Sequence, residues 1–322
     1  MRRILVIGTR GSALALWQAH AVQDALQAAR PELRTEIRVI STKGDRILDK
    51  PLEQIGDKGL FTKELEGALL AGEVDVCVHS MKDVPSELPA GCLIDAMLPR
   101  ADVRDVLVCG PRIAGSTCLA DVPAGARLGT GSLRRVAQLR ARYPHIQPAP
   151  IRGNVDTRLA KAQGDDYEGA ILAAAGVLRM GCADAVAAYL PVDEMVPAVG
   201  QGAIGIEVLE GNDFARAAIA CVNDAATFAC VQAERRILAA LEGGCQVPVG
   251  AHFRQAEDGL RCDAIVLALD GSRQARVSRC DAADADPLAI ADAVVAELRA
   301  QGADGILAEI RPMLDAKAGG SR

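Results

Sequence analysis

Basic residues recur in this sequence at two kinds of position, directly after predicted strands and at the starts of predicted helices. In open α/β sheets, ligands bind at the carboxyl ends of strands, and helix N-termini add backbone N–H donors for anions. Because the chain as a whole is acidic, with a net charge of −6, cations clustered at these positions predict a small ligand with several carboxylates or phosphates. The basic residues are Arg10, Lys43, Lys58, Lys82, Arg134, Arg135, Arg152 and Arg158.

Asp83 is the one acid amid this basic cluster, in the segment His79-Ser80-Met81-Lys82-Asp83 that follows a predicted strand. A carboxylate at this position could move protons on a bound ligand. An ion pair with Lys82, or a cap of the loop, is the alternative that the spacing leaves open. For His79 we favour a hydrogen-bonded structural role over a catalytic one.

Cys245 stands apart from the other nine cysteines because it follows Gly243-Gly244 at the end of a predicted helix and precedes Pro248. Glycine ends a helix and proline prevents its continuation, so this thiol is expected on a turn. A helix C-terminus does not favour a thiolate. Activation would have to come from the cationic site or from an electrophilic partner, and a thiol without function is the alternative.

The remaining cysteines and the histidines do not form a metal-binding pattern. The chain has no Cys-x-x-Cys pair, and its four histidines are scattered, so we predict no metal site. Most of the other cysteines lie in apolar runs such as Val76-Cys77-Val78. We predict that these are buried thiols and that the protein works in a reducing cytoplasm.

Composition and length narrow the class of protein further. A chain of 322 residues predicts two or three domains. Eight aromatic residues are too few for a base-stacking platform, so we expect no nucleic acid partner. No run of 18 apolar residues occurs, and we expect neither a membrane span nor an export signal. The pattern G-x-G-x-x-G at 200–205 leads into a strand rather than a helix, which disfavours a dinucleotide site.

Strand and helix patterns alternate over the first two thirds of the chain and predict mostly parallel, doubly wound sheets. Two Asp-Gly turns, at 258–259 and 270–271, then separate three strand-like runs, which predicts an antiparallel meander with flanking helices. The predicted strands are 4–8, 36–40, 74–78, 105–109, 126–129, 146–151, 169–173, 249–256, 260–269 and 273–280. The predicted helices are 13–29, 62–71, 132–142, 154–163, 174–182, 212–222, 225–242 and 286–301.

Eight segments of the chain, taken in order, resemble the porphobilinogen deaminase family, whose members are also called hydroxymethylbilane synthases. Together they extend over nearly the whole sequence, and any one alone could arise by chance. They are residues 8–16, 41–45, 58–66, 78–85, 131–135, 152–155, 199–203 and 241–248.

The resemblance implies a transferase of tetrapyrrole biosynthesis that joins four porphobilinogen molecules head to tail, with loss of ammonia, to give linear hydroxymethylbilane. It implies a dipyrromethane cofactor, itself made of two porphobilinogen units, held by a thioether to Cys245. Asp83 matches the family's catalytic aspartate, which would assist the loss of ammonia and stabilise cationic intermediates. Other matching positions would bind acetate and propionate groups. The implied cofactor-binding residues are Cys245, Ser80, Lys82, Asp83, Thr130, Ser132, Arg134 and Arg135, and the implied substrate-binding residues are Arg10, Ser12, Lys58, Arg152 and Arg158.

The resemblance also implies an architecture of two α/β lobes, similar to periplasmic binding proteins, around a cleft. A C-terminal α+β domain with a three-stranded antiparallel sheet would present Cys245. We expect a cytoplasmic monomer that binds the small molecule porphobilinogen. The implied limits are 1–99 with 197–216 for domain 1, 100–196 for domain 2, 217–314 for domain 3 and 315–322 for a polar tail.

Two other classes of protein remain as alternatives. A non-catalytic two-lobed binding protein for a small polycarboxylate would explain the cationic cleft, but it should carry an export signal and has no use for Cys245. A phosphate-handling α/β enzyme would explain the cations, but the chain lacks a glycine-rich phosphate loop in the right context.

Overall fold

The computed structural model describes residues 4–46, 59–241 and 247–319. Two predicted site residues, Lys58 and Cys245, lie outside the described residues. The strands are β1 (Ile4–Thr9), β2 (Arg34–Val39), β3 (Val76–Ser80), β4 (Cys92–Met97), β5 (Asp105–Cys109), β6 (Arg127–Gly129), β7 (Gln147–Ala149), β8 (Gly169–Ala173), β9 (Ala188–Leu190), β10 (Ile204–Leu209), β11 (Val249–Ala256), β12 (Gly259–Leu267) and β13 (Gln274–Asp281). The helices are α1 (Ala13–Ala29), α2 (Lys43–Arg46), α3 (Lys63–Leu70), α4 (Leu133–Arg142), α5 (Val155–Ala162), α6 (Ala174–Arg179), α7 (Asp213–Ile219), α8 (Ala225–Ala240), α9 (Pro287–Ala300) and α10 (Ala303–Gly319).

Two five-stranded sheets share one strand order, and each forms the centre of a lobe. The sheet of lobe 1 has the order β2-β1-β3-β10-β4, and the sheet of lobe 2 has the order β7-β6-β8-β5-β9. In each sheet the fourth strand is antiparallel to its neighbours, and it is the first strand after the chain has crossed from the other lobe. The predicted doubly wound lobes are therefore confirmed, while the exact domain limits stay a prediction. The connections between the lobes are residues 98–104 and 191–203.

Both connections are held together and attached to the C-terminal unit. The Ala101 N–H donates to the Gly202 carbonyl at 3.2 Å. Glu234, a fully buried residue of α8, accepts two hydrogen bonds from the Arg100 guanidinium at 2.6 and 2.9 Å and one from the Gly200 N–H at 2.7 Å. Burial alone would raise the pKa of Glu234, but the Arg100 charge and the hydrogen bonds with His252 and Arg100 together lower it to about 2. The crossings are thus anchored by one buried carboxylate.

The C-terminal unit is the predicted three-stranded antiparallel meander, with order β11-β12-β13. One face of this sheet and helices α8, α9 and α10 enclose a core that includes Phe253. Ile265 and Leu267, on the other face of β12, pack against Ala137 of α4 in lobe 2. Helix α10 was not predicted, and it extends into the segment that the sequence analysis treated as a tail from residue 315.

Some sequence expectations were wrong or incomplete. Strands β4 and β9 were not predicted, and both are edge strands. β4 pairs with β10, which is far away in the sequence, and β9 pairs with β5 over a few residues only. Of the nine described cysteines, all of them free thiols, three are buried and three are exposed. The prediction that most are buried is therefore wrong, because thiols at short 3-10 turns or on the edge strand β13 are accessible to solvent. The exposed ones are Cys118, Cys221 and Cys280.

In the described part of the chain, no single helix is both long and apolar enough to cross a membrane. Only a pair of helical segments bent by 110° against each other, Asp213–Val222 with Ala225–Ala240, reaches that length and composition together.

Candidate active site

A cleft of about 310 Å³ lies between the two lobes, and residues of the C-terminal unit line its edge. Most predicted site residues line this cleft together, although they come from distant parts of the sequence. Val247, which follows Cys245 by two residues in the sequence, also lines it. The predicted residues on the cleft wall are Arg10, Ser12, Lys82, Asp83, Ser132, Arg134, Arg135, Arg152 and Arg158.

The loop between β1 and α1 brings Arg10 and Ser12 to the cleft. Ser12 is the N-cap of α1, and its hydroxyl accepts a hydrogen bond from the Ala15 N–H at 3.3 Å, which satisfies one of the free donors of the first turn. The Arg10 guanidinium lies 4.2 Å from the centre of the Phe61 ring. This cation–π contact orients a cation at the mouth of the site. Phe61 also lines the cleft, and the sequence analysis did not identify it.

The carboxyl end of β3 continues into a single 3-10 turn, Met81–Asp83, that carries Lys82 and Asp83. Met81 is buried, and its N–H donates to the Ala203 carbonyl at 3.1 Å. A Cβ atom at Gly200, whose φ is +69°, would lie 2.8 Å from the Met81 Cβ. This glycine therefore allows the second connection to pack directly against the turn. The glycine pattern at 200–205 supports the site by close packing, and it leads into a strand as expected.

Lys82 is a partly buried cation on the cleft wall. Burial is the main cause that lowers the pKa of its ammonium to about 8, and the nearby Asp83 carboxylate opposes this effect. Arg158 is affected in the same way, since burial lowers its pKa to about 10. The Arg158 Nε donates to the Gly153 carbonyl at 2.7 Å. An anionic ligand would strongly stabilise the charged form of cations in such surroundings.

Arg134 and Arg135, in the first turn of α4, share the buried carboxylate of Asp105. Arg134 Nη1 lies 2.8 Å from one carboxylate oxygen, and Arg135 Nη2 lies 2.7 Å from the other. Burial alone would raise the pKa of Asp105, but the two guanidinium charges outweigh it and hold this pKa well below its usual range. The Nε atoms of both arginines are buried and have no hydrogen-bond partner in the described structure. Two cations thus share one anion at the cleft wall and retain free donors.

Asp105 and Gln201 are the main polar residues that the sequence analysis missed. Gln201 is buried, lines the cleft and donates from Nε2 to Asp105 at 2.8 Å. Asp105 is the first residue of β5 and follows Arg104. Nothing in this local sequence indicated that its partners, Arg134 and Arg135, lie about 30 residues later in the chain. The segment 199–203 belonged to the resemblance, yet no role could be assigned to Gln201 from its type alone.

Two predicted residues that the structure describes, Ser80 and Thr130, are not on the main cleft wall. Ser80 lines a smaller side chamber, and its hydroxyl accepts from Gln18 Nε2 at 2.7 Å. Thr130 is buried behind the wall, where its hydroxyl accepts from the Ser132 N–H at 3.3 Å. A ligand contact of Thr130 stays a prediction. Lys58 and Cys245 lie outside the described residues.

The residues described by the structure contain no group of histidine, cysteine and acidic side chains that could hold a metal ion. The fold and the site together define a two-lobed α/β protein with a cationic cleft for a small, multiply anionic ligand.

Comparison with known proteins narrows this class to one family. The family model described as "Porphobilinogen deaminase, dipyromethane cofactor binding domain" matches residues 5–217, and the model described as "Porphobilinogen deaminase, C-terminal domain" matches residues 228–300. The chain belongs to the porphobilinogen deaminase family.

Curated relatives agree over almost the full length. The chain is 49% identical over 308 residues to the porphobilinogen deaminase of Bordetella parapertussis, covering 96% of each protein. It is 48% identical over 303 residues to the porphobilinogen deaminase of Thiobacillus denitrificans, covering 94% of this chain and 97% of that one. Among solved structures, the methionine binding protein MetQ matches with a TM-score of 0.43 and 9% identity, covering 70% of this chain and 92% of that one.

Proposed function

We propose that this protein is a hydroxymethylbilane synthase, a transferase of tetrapyrrole biosynthesis. It joins four porphobilinogen molecules head to tail and releases ammonia at each condensation. The observation that carries the proposal is the position of Asp83, a carboxylate directly next to Lys82 in a cleft lined by cations from both lobes. Each porphobilinogen brings two carboxylates, so a growing chain of pyrroles needs many cationic contacts.

The wall of lobe 2 fits a dipyrromethane cofactor. Such a group carries four carboxylates, and the buried Nε donors of Arg134 and Arg135 have no protein partner in the described structure. Unsatisfied buried donors are costly, and a ligand carboxylate would satisfy them. Lys82 and Ser132 would complete the anchoring, and Cys245 would hold the group by a thioether. When bound, the cofactor supplies the pyrrole carbon from which the chain grows.

Asp83 would act on the incoming substrate. Loss of ammonia requires the substrate amine to be held as an ammonium, and the carbon cation left behind requires a nearby negative charge. The Asp83 carboxylate can accept a hydrogen bond from the ammonium and then from pyrrole N–H groups. Arg10, Ser12, Arg152 and Arg158 would bind the carboxylates of substrate and growing product.

A cytoplasmic monomer is the state that we propose for the protein. The nine described cysteines are free thiols, which suits a reducing compartment. The cleft is formed by residues of one chain, so a second copy is not needed to complete it.

Incubation with porphobilinogen tests the proposed function. We expect release of ammonia together with a product that cyclises, with loss of water, to a uroporphyrinogen, which an added oxidant then converts to uroporphyrin for detection. A matched control is Glu87→Gln, because Glu87 is an exposed carboxylate a few residues beyond Asp83 and its loss should leave both products unchanged. Binding of porphobilinogen without ammonia release would instead identify a non-catalytic polycarboxylate-binding protein.

A further inference from the structure

A buried histidine–glutamate pair lies directly behind the turn that carries Lys82 and Asp83. His79 Nε2, on β3, is 2.8 Å from Glu207 Oε2, on β10, and the two side chains are 4% and 0% exposed. In the antiparallel register His79 is opposite Gly205, while Glu207 is opposite Cys77. The pair therefore joins the two central strands diagonally, at the end of β3 from which the turn projects.

This region of lobe 1 is polar where an apolar core would be more stable. Glu66, on α3, is 6% exposed, and Cys77 donates from its thiol to a carbonyl of the same helix. Glu66 Oε1 and Glu207 Oε1 are buried and have no hydrogen-bond partner in the described structure. Buried polar atoms without partners lower stability, and apolar residues of similar size often do better. Stability alone thus gives no reason for a carboxylate at position 207.

The pair reaches the active site through His79 alone. A side chamber of about 50 Å³ adjoins the main cleft, and His79 lines it together with Asp83, Arg10 and Ser80. Glu207 lines neither the chamber nor the cleft. Any effect of Glu207 on the reaction must therefore act through His79 and the strand end.

The end of β3 is held from both sides of the sheet. On the α1 side, Gln18 Nε2 donates to the Ser80 hydroxyl at 2.7 Å. On the α3 side, Glu207 holds His79. These two contacts fix consecutive residues of β3 immediately before the Met81–Asp83 turn. Removing either contact would let the turn shift, and a misplacement of about 1 Å can reduce catalysis about a hundredfold.

We propose that Glu207 and His79 are positioning residues for Asp83, with Glu207 acting only through His79. This inference rests on the proposed function, because Asp83 is there the group that contacts substrate. The charged and titratable groups around the pair are Glu66 on α3, Cys77 on β3, Cys92 on β4, and Arg10 and Asp83 on the chamber side.

Glu207→Gln tests the inference, because it keeps the shape of the side chain and removes its charge. We expect kcat to fall about tenfold or more, while KM for porphobilinogen changes less than twofold and the intact mass still shows the bound cofactor. The matched control is Glu66→Gln. Glu66 is a buried carboxylate of the same region that lines neither the chamber nor the cleft, so kcat should stay within twofold of wild type.

A double-mutant cycle separates positioning from a general loss of packing. If Glu207 acts through His79, Glu207→Gln combined with His79→Gln should lose no more kcat than the worse single variant. If Glu207→Gln fails to fold, His79→Gln alone tests the inference. We then expect the same loss of kcat and an unchanged KM in His79→Gln.

Four results would overturn the inference: wild-type kcat in the decisive variant, an equal loss of kcat in Glu66→Gln, additive losses in the cycle, or a loss expressed in KM alone. A wild-type protein that releases no ammonia from porphobilinogen would instead contradict the proposed function.

Discussion

The side chain of Lys82 links burial at a single residue to ligand binding. Because burial lowers its pKa to about 8, the ammonium that we propose to bind a cofactor carboxylate is lost as the pH rises through that value. Assembly of the cofactor on apoprotein supplied with porphobilinogen should then weaken above about pH 8. The fraction of cofactor-loaded protein, read from intact mass between about pH 7 and 9.5, checks this. Lys82→Arg, which stays charged throughout, should give a flatter profile, and identical profiles for both proteins would contradict the assignment.

Cys245 is the residue to which we propose that the cofactor is covalently linked. We expect Cys245→Ala to fold normally and to have no activity, because the substitution removes the attachment point for the cofactor. The intact mass of the wild type should exceed the sequence mass by two pyrrole units, and that excess should be absent from the variant. Cys280→Ala, which changes an exposed thiol on β13, is the control and should retain the excess. Finding the excess in Cys245→Ala would contradict the linkage.

Residue types and their spacing predicted a large part of the site, but not its internal ion pairs. Arg10, Lys82 and Asp83 could be selected because each follows a strand whose end faces the cleft. Asp105 could not, since the charges that it balances lie on a helix about 30 residues later. Burial of an acid depends on tertiary contacts that no local pattern encodes.

Helix α4 carries the two arginines that connect the cleft wall to the interior of lobe 2. Each charge-assisted contact with a ligand carboxylate contributes on the order of 1.5–3 kcal/mol, or roughly ten- to a hundredfold in binding. Since both guanidiniums also balance Asp105, Arg134→Leu or Arg135→Leu should in addition destabilise the fold by about 3–5 kcal/mol. Each substitution thus removes both a contact with the ligand and an ion-pair partner of Asp105.

Urea unfolding together with intact mass and turnover measures both effects of the α4 substitutions. Arg140→Leu changes an exposed arginine on the same helix and should leave cofactor content and turnover unchanged. Wild-type stability and turnover in both Arg134→Leu and Arg135→Leu would show that these arginines have neither role.

Elements with strong local patterns were predicted within a few residues, whereas β4 and β9 were missed. β4 pairs only with β10, more than a hundred residues later, and β9 has three residues. Short edge strands have weak periodicity, and their partners come from elsewhere in the chain. The return of the chain to lobe 1 came from the family resemblance alone, because pairing of β10 with β3 leaves no trace in local sequence.

The two lobes also meet at Trp17, the only tryptophan of the chain. Its ring, on α1 of lobe 1, lies 5.5 Å from the guanidinium of Arg179, on α6 of lobe 2. Arg179 also donates to the Gly202 carbonyl in the second connection at 2.7 Å. Trp17 therefore reports on the relative position of the lobes through a contact that depends on Arg179.

Intrinsic fluorescence measures this contact in the whole molecule. We expect Arg179→Gln to change the Trp17 emission intensity and to reduce the change that porphobilinogen induces, while Arg179→Lys retains part of the signal because it keeps a cation. Arg216→Gln, on α7 at a half-buried ion pair with Asp95, should behave like wild type. Identical emission of Arg179→Gln and wild type, with and without porphobilinogen, would show that the contact is not formed.

Single-turnover condensation by cofactor-loaded Asp83 variants tests the central claim most directly, namely that one carboxylate in a two-lobed cationic cleft performs the chemistry. Asp83→Asn keeps the shape and loses the charge, so it should nearly eliminate turnover. Asp83→Glu keeps the charge but moves it by one methylene, so it should be slower by about a hundredfold yet measurable. Ammonia release and intact mass are followed together after each variant is shown to carry the cofactor. Wild-type turnover by loaded Asp83→Asn would contradict the account.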